Sequence, residues 1–595
     1  MPQSFAEVIS ELEAASSKLR RLPLGPLIRK DRRGLNHSAD LAAGPEPSLS
    51  STAAFLRIRR LDSGFGPDVD PDSVNQWRQY VLENGIAKSA EKLAASSSKP
   101  AAHDAVSAAY RIGWTCWATG APAPGPLINW VSSFCKTWLL REYVRFPAAY
   151  VLHLASVALP PGHEEPERLL RAVAEEIVWR QLAFAHQGGV NEFAPNELAL
   201  ALALCCADLS LNDFDSVATM LNEAAGENGT WLARPPIADT GVPSCSALYS
   251  LQALMLATDS QPAKQVRLLP SLLAHSRWAS SNEPLNGSGW ISSDLKFRLP
   301  YPEPWFNFLA LEFMLNSRRW LASHEQRSLL ELYQARRHMS TVSWEELVLE
   351  PADHLALTEK LVKPAESLGT ADQLPRCTAL LFGPPGTAKT TIAEALATKI
   401  QWPLIELGVA DFLADGVDGV FARSRKIFDD LLSVERAVVL LDEVEGVFAD
   451  RGSKDAEPFQ KLLTAALLPP LKRLRDKARI ILIIATNHIT SFDAAIQRPG
   501  RIDLIIPVGP PSASARVNLL RAWGIDSKIV ANSAAFTGDR ATIGELKRVR
   551  DFPGEAHSDL TEFQRAWGAS FRRPLISEDD FRRFKEHADE FRRHG

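Results

Sequence analysis

The residues with the clearest chemistry stand in one run, Gly383-Pro384-Pro385-Gly386-Thr387-Ala388-Lys389-Thr390-Thr391. An apolar stretch, Thr378 to Phe382, leads into it, and a helix-like stretch, Thr391 to Ala397, leads out. A glycine-rich turn between a strand and a helix offers a row of backbone N–H groups and the positive end of a helix dipole, the arrangement that binds phosphate. Lys389 supplies a charge for β- and γ-phosphates, and Thr390 a hydroxyl for Mg²⁺. The usual pattern has glycine just before the lysine, whereas this chain has Ala388. That position is expected in the first helical turn, where a methyl is tolerated and Ala388→Gly changes little. A second apolar run, Ala437 to Leu441, ends in Asp442-Glu443. A buried strand with two acids at its end suits a nucleotide hydrolase: Asp442 for the Mg²⁺ shell, Glu443 to polarise the attacking water. A third run, Ile480 to Thr486, ends in Asn487, an amide where the γ-phosphate would sit.

After Asn487 comes Phe492-Asp493-Ala494-Ala495-Ile496-Gln497-Arg498-Pro499-Gly500-Arg501. Glycine-rich loop, Asp-Glu, Asn and Arg-Pro-Gly-Arg, in that order, resemble the AAA clade of the AAA+ ATPases over roughly residues 340–550. The resemblance implies an α/β P-loop core with a five-stranded parallel sheet, a small α-helical lid, ATP and Mg²⁺ as cofactors, and a homo-oligomer, a hexameric ring. By the same resemblance Asn487 is sensor 1, Arg498 and Arg501 are fingers reaching the neighbouring subunit's γ-phosphate, and Gly544 lies at a helix start near the adenine. The stretch Asp411 to Phe421 falls where relatives carry a pore loop. Here it reads Ala-Asp-Gly-Val, with Phe412 and Phe421 on either side, which departs from the pattern of threading relatives. Leu467-Leu468-Pro469-Pro470 departs from the family's usual turn after the helix that follows Asp442-Glu443. No His-Glu-x-x-His is present, so the built-in zinc protease of some relatives is not expected.

The whole chain sets the frame for these motifs. Its 595 residues leave room for several domains. A net charge of −5 gives no pull toward nucleic acid, and none is expected as a partner. The six cysteines, at 116, 135, 205, 206, 245 and 377, form no Cys-x-x-Cys pair, so buried, reduced thiols in a cytoplasmic protein are expected rather than a zinc or disulfide framework. No apolar run approaches the ~20 residues of a membrane helix. Glu7, Glu11 and Glu13 argue against a secretory or transit segment.

The remainder reads as helix. Phe5, Val8, Leu12, Ala15 and Leu19 recur at helical spacing, whereas residues 35–75 read as loop or disorder. From 74 to 337 helices alternate with Gly, Pro and Asn turns. Leu198 to Cys206 is too apolar for a surface helix. A loose repeat, Asn228-Gly229-Thr230-Trp231 and Asn286-Gly287-Ser288-Gly289-Trp290, is similar to turns of α/α-repeat proteins. With no catalytic motif there, residues 74–337 are expected to recruit a protein partner. The expected organisation is thus 1–73 as a helix and linker, 74–337 as a helical interaction domain, 338–510 as the ATPase core and 511–595 as the lid. Phe581, Phe584, Ala588 and Phe591 line one face of a last helix expected to pack on the lid or a neighbouring subunit. Two functions fit: an ATPase that remodels a protein partner, or a nucleotide-gated regulatory assembly that recruits one.

Overall fold

The computed structural model describes residues 5–21, 29, 34–35, 47–140, 148–186, 194–225, 230–231, 246–281, 304–337, 340–369, 373–442, 469–487, 501–526, 529–530, 540–551, 559–570 and 575–594. The chain divides into two units, Met1–His324 and Glu325–Gly595.

The first unit is helical: α1 (Phe5–Arg20), α2 (Leu49–Leu61), α3 (Pro71–Val81), α4 (Lys88–Ala95), α5 (His103–Thr119), α6 (Gly125–Leu139), α7 (Ala148–Ala158), α8 (Glu164–His186), α9 (Pro195–Cys205), α10 (Leu211–Glu223), α11 (Ala247–Ala257), α12 (Pro262–Arg267), α13 (Leu269–Ser281) and the start of α14 (Pro304–Leu332). Helices α5, α7, α9 and α11 pack in succession, each on the next, while α4, α6 and α8 pack beside them. The sequence explains the two layers. In α9 every residue from Leu198 to Leu202 is buried, so neighbours must cover it all round. In α10 the buried residues are Phe214, Val217, Ala218 and Leu221, one stripe at helical spacing with the other face in water. Of the loose repeat, Thr230 and Trp231 are described: Trp231 is fully buried and its indole N–H donates to Leu221 O. The Asn286–Trp290 copy lies outside the described residues.

Two expectations do not hold. Residues 35–75 are not simply loop, because α2 lies within them, capped by Ser48, whose hydroxyl accepts from the Ser51 N–H. Residues 1–73 do not stand apart either: Val8, Leu12 and Leu19 of α1 and Phe55 of α2 are buried in the same core as the later helices, and α1 packs on α13. Within that core Arg57 and Glu312 form a two-pronged ion pair at 2.7 and 2.5 Å, with the Arg57 guanidinium over the Trp117 ring. Removing one partner strands a buried charge, so Glu312→Ala is expected to destabilise the protein by roughly 3–5 kcal/mol. Chemical denaturation checks this, and a loss within about 1 kcal/mol would contradict it. The five described cysteines are free and buried; burial pushes the thiols of Cys116, Cys135, Cys205 and Cys377 up to about 12.

The second unit begins inside α14, not at residue 338. Leu329, Leu330 and Tyr333 pack into its core, the Tyr333 hydroxyl donates to Asp430 at 2.8 Å, and Arg336 exchanges backbone hydrogen bonds with Leu404. A fragment starting at 338 would lose all of these. Five parallel strands follow: β1 (Thr378–Phe382), β2 (Leu404–Leu407), β3 (Val438–Leu441), β4 (Ile481–Thr486) and β5 (Leu504–Pro507), in the order β2-β3-β4-β1-β5. Alternate residues serve opposite faces: Leu380, Val439 and Leu482 enter one core, whereas Leu381, Leu440 and Ile483 enter the other. Burial on both faces is why these strands read as unbroken apolar runs. The helical elements that bear on the site are α15 (Pro351–Leu357), α16 (Lys363–Glu366), α17 (Lys389–Lys399), α18 (Val409–Phe412) and α19 (Gly416–Ser433). The lid comprises α20 (Ala513–Ala522), α21 (Ile543–Arg550), α22 (Leu560–Ser570) and α23 (Glu578–His594), with Leu520, Leu546, Val549, Phe563 and Trp567 in a small core of its own. No described helix is long and apolar enough to cross a membrane.

Candidate nucleotide site

Strand register brings the motifs together. Phe382 of β1 pairs with Thr486 of β4, so the residues just beyond them, Gly383 and Asn487, leave the sheet side by side. Leu441 of β3 pairs with Ile484, which sets Asp442 at the same edge. The glycine-rich turn then crosses to α17. Its Lys389, only 8% exposed, donates to Gly383 O at 2.7 Å, Pro384 O at 3.0 Å and Asn487 Oδ1 at 2.8 Å. The Thr390 hydroxyl donates to Asp442 Oδ2 at 2.7 Å. The buried Thr387 hydroxyl closes the turn on Pro384 O at 2.9 Å. Two glycines are required by geometry. A Cβ at Gly383 would lie 2.0 Å from Val508 O, and Gly386 has φ +77.

Ala388 overturns one expectation. It is not in a helical turn: it precedes α17 with φ 71 and ψ 33, the left-handed region. For a residue with a Cβ that conformation costs on the order of 1–2 kcal/mol. Ala388→Gly removes the strain but adds freedom to the unfolded chain, worth roughly 0.4–1 kcal/mol the other way. The net expectation is a gain of up to about 1 kcal/mol, read as a higher Tm in calorimetry. A lower Tm would show that the methyl makes a packing contact outweighing its backbone strain.

The lid closes on the same turn. The Gly544 N–H, at the start of α21, donates to Gly386 O at 3.0 Å. Glu545 beside it is fully buried and accepts from the Thr542 N–H and hydroxyl and from the Leu575 N–H. Sequence reasoning missed Glu545, although Thr542 and Glu545 have capping-box spacing. It also missed Asp503, whose Oδ2 accepts from the N–H groups of Cys377 and Thr378 and from the Thr378 hydroxyl, joining the starts of β1 and β5. The last helix, α23, is capped by Ser577, whose hydroxyl accepts from the Asp580 N–H. Among the described residues its apolar face packs on the sheet rather than on the other lid helices: Phe584 and Phe591 lie against Phe382 at 5.9 and 5.5 Å between ring centroids, and α23 contacts β5. Phenylalanines spaced along one helix face need a flat apolar neighbour, and the end of β1 provides it.

Residues 379–510 match the family model described as "ATPase family associated with various cellular activities (AAA)". This part of the chain is an AAA ATPase domain. The chain is 30% identical over 220 residues to "ATP-dependent zinc metalloprotease FtsH" of Lachnoclostridium phytofermentans, covering 34% of this chain and 38% of that protein. It is 33% identical over 145 residues to "Cell division control protein 48 homolog B" of Arabidopsis thaliana, covering 24% of each. It thus spans well under half the length of these relatives. Among solved structures, the AAA domain of FIGL-1 aligns with TM-score 0.36 and 17% identity, covering 44% of this chain and 95% of that one.

The structure brings Gly383, Pro384, Pro385, Gly386, Thr387, Ala388, Lys389, Thr390, Asp442 and Asn487 of the matched stretch, and Gly544 beyond it, to one edge of the sheet, with Thr391 following in α17. Arg501 is half-buried just before β5. Glu443 and Arg498 lie outside the described residues. The stretch expected as a pore loop is largely helical: α18 and α19 leave only 413–415 between them. Phe412 is buried and packs near Phe428, whereas Leu413 and Phe421 are 39% and 38% exposed, so the two phenylalanines do not flank one exposed loop.

Proposed function

We propose that this protein binds ATP and hydrolyses it at the β1–α17 turn, and couples the cycle to remodelling of a protein partner. The observation that carries the reading is the meeting of four side chains from three motifs: Lys389 with Asn487, and Thr390 with Asp442. Two hydrogen-bonded pairs across three strand ends are what a phosphate site needs and what a solvated loop does not. On this reading Lys389 and the loop N–H groups hold phosphate, Glu443 acts as base, Asn487 orients the water, and Arg498 and Arg501 complete the site of a neighbouring copy in a cytoplasmic hexameric ring. The Thr390 hydroxyl and the Asp442 carboxylate are adjacent oxygen donors, the chemistry that Mg²⁺ takes, and Mg²⁺ held there would offset phosphate charge.

A nucleotide-gated assembly that recruits a partner without threading is the second reading. It is favoured by the burial of Phe412, which removes one aromatic from the stretch expected to grip a threaded chain. ATP turnover measured with and without a permanently unfolded protein separates the two. Stimulation supports remodelling. Turnover without stimulation supports the gated assembly, and no turnover with Mg²⁺ present counts against both.

A further inference from the structure

Glu545 does more than cap α21. Its Oε2 accepts from the Thr542 N–H at 2.8 Å, as in any capping box, and also from the Thr542 hydroxyl at 2.8 Å. Its Oε1 accepts from the Leu575 N–H at 2.9 Å, a bond no cap requires. That bond fixes Leu575 over the tip of the P-loop: a Cβ at Gly386 would lie 3.0 Å from Leu575 Cδ1 and 3.2 Å from Thr542 Oγ1. The Gly544 N–H takes the Gly386 carbonyl. At the other end of the loop, Phe584 stands 3.4 Å from the place of a Gly383 Cβ. The segment from Leu575 onward therefore touches both ends of the P-loop.

We propose that Glu545 is a positioning residue. It ties Thr542 and Leu575 into a latch that holds the P-loop in its phosphate-ready shape and so sets the affinity for nucleotide. This rests on the nucleotide reading above. Gly386 and Ala388 both adopt positive φ, at 77 and 71. Backbone in such regions persists only where its surroundings hold it. The latch engages a loop carbonyl, whereas phosphate is bound by N–H groups, so the two do not compete. A loop shaped before binding loses less freedom on binding and holds its ligand more tightly.

The test uses the full chain, fluorescent ADP as the binding probe, and steady-state ATP turnover. Glu545→Gln, which weakens hydrogen bonds to a charged group, and Leu575→Ala, which removes the side chain that lies against Gly386, should each weaken ADP binding and raise KM by about tenfold. At saturating ATP, kcat should stay within about threefold, because the groups assigned to the reaction are untouched. Leu575→Met, which keeps the volume, should restore wild-type binding. If Glu545→Gln fails to fold, Leu575→Ala carries the test, since it leaves the Leu575 N–H bond in place. ADP affinity unchanged in Leu575→Ala, or a fall in kcat with KM unchanged, would overturn the latch. A wild-type chain that binds no ADP would instead overturn the nucleotide reading, and the latch with it.

Discussion

Glu443→Gln is expected to bind ATP as the wild type does and to turn it over ~10²–10⁴-fold more slowly, the usual share of general-base catalysis. Elimination among the groups at the strand ends leaves Glu443 as the base. Lys389 is a cation and Asn487 an amide, and neither can take a proton from water at neutral pH. Asp442 accepts the Thr390 hydroxyl and, beside it, is the carboxylate suited to Mg²⁺. Glu443 is the remaining acid of the motif set. Single-turnover hydrolysis, measured beside equilibrium ATP binding, separates the two effects. Turnover within about tenfold of wild type would mean that another group activates the water. A matching loss of ATP binding would mean that Glu443 supports the loop rather than the reaction.

The sheet of the second unit was legible because its strands are covered on both faces. Burial of that kind forces unbroken apolar runs, and the expected and observed bounds of β1 coincide at Thr378–Phe382. The apolar runs of β3 and β4 each give way to a polar residue because the sheet ends there, so Asp442 and Asn487 could be found from the edge of hydrophobicity alone. Backbone handedness is another matter. Whether residue 388 is helical or left-handed depends on how the turn enters α17, and an alanine at that place leaves no mark in a pattern of apolar and polar residues. Gly386 two positions earlier was the available hint, since it shares the positive φ.

Contacts between distant segments were the other blind spot. Leu575 meets Gly386, and Phe584 meets Gly383, only because the lid folds back over β1. No spacing rule reports that. The same reason separates what was readable in the helical unit from what was not. Full burial of Leu198–Leu202 follows from composition, but the packing of α5 on α7 and α9 on α11 skips a helix each time. Such pairing is fixed by which faces fit, not by neighbours in sequence. The expected linker at 35–75 failed on similar grounds: the serines and alanines of α2 are small enough to be buried, and Ser51, Thr52, Ala53 and Ala54 all are.

Arg501→Ala is expected to abolish most ATPase activity, roughly 10³–10⁵-fold if it acts as a finger at the transition state, while leaving ATP binding intact. Arg501 stands on the segment that enters β5, and the other side of β1 is taken by β4 and Asn487. Asp503, two positions on, is tied to Cys377 and Thr378 at the start of β1, the end of the strand away from the P-loop. That anchoring starts β5 at the edge opposite to the phosphate groove of its own subunit, so a finger at 501 serves a second copy more readily than its own. ATPase per subunit should then rise with protein concentration. Mixing Arg501→Ala with Lys389→Ala should partly restore activity, because an intact finger can meet an intact pocket. The Lys389 variant also loses the ammonium that holds Gly383 O and Pro384 O, so its own loop is not expected to recover. Rescue must come entirely from pockets of the Arg501 variant. A rate independent of concentration, with no rescue under conditions where subunits exchange, would place Arg501 outside the reaction and leave each copy to work alone.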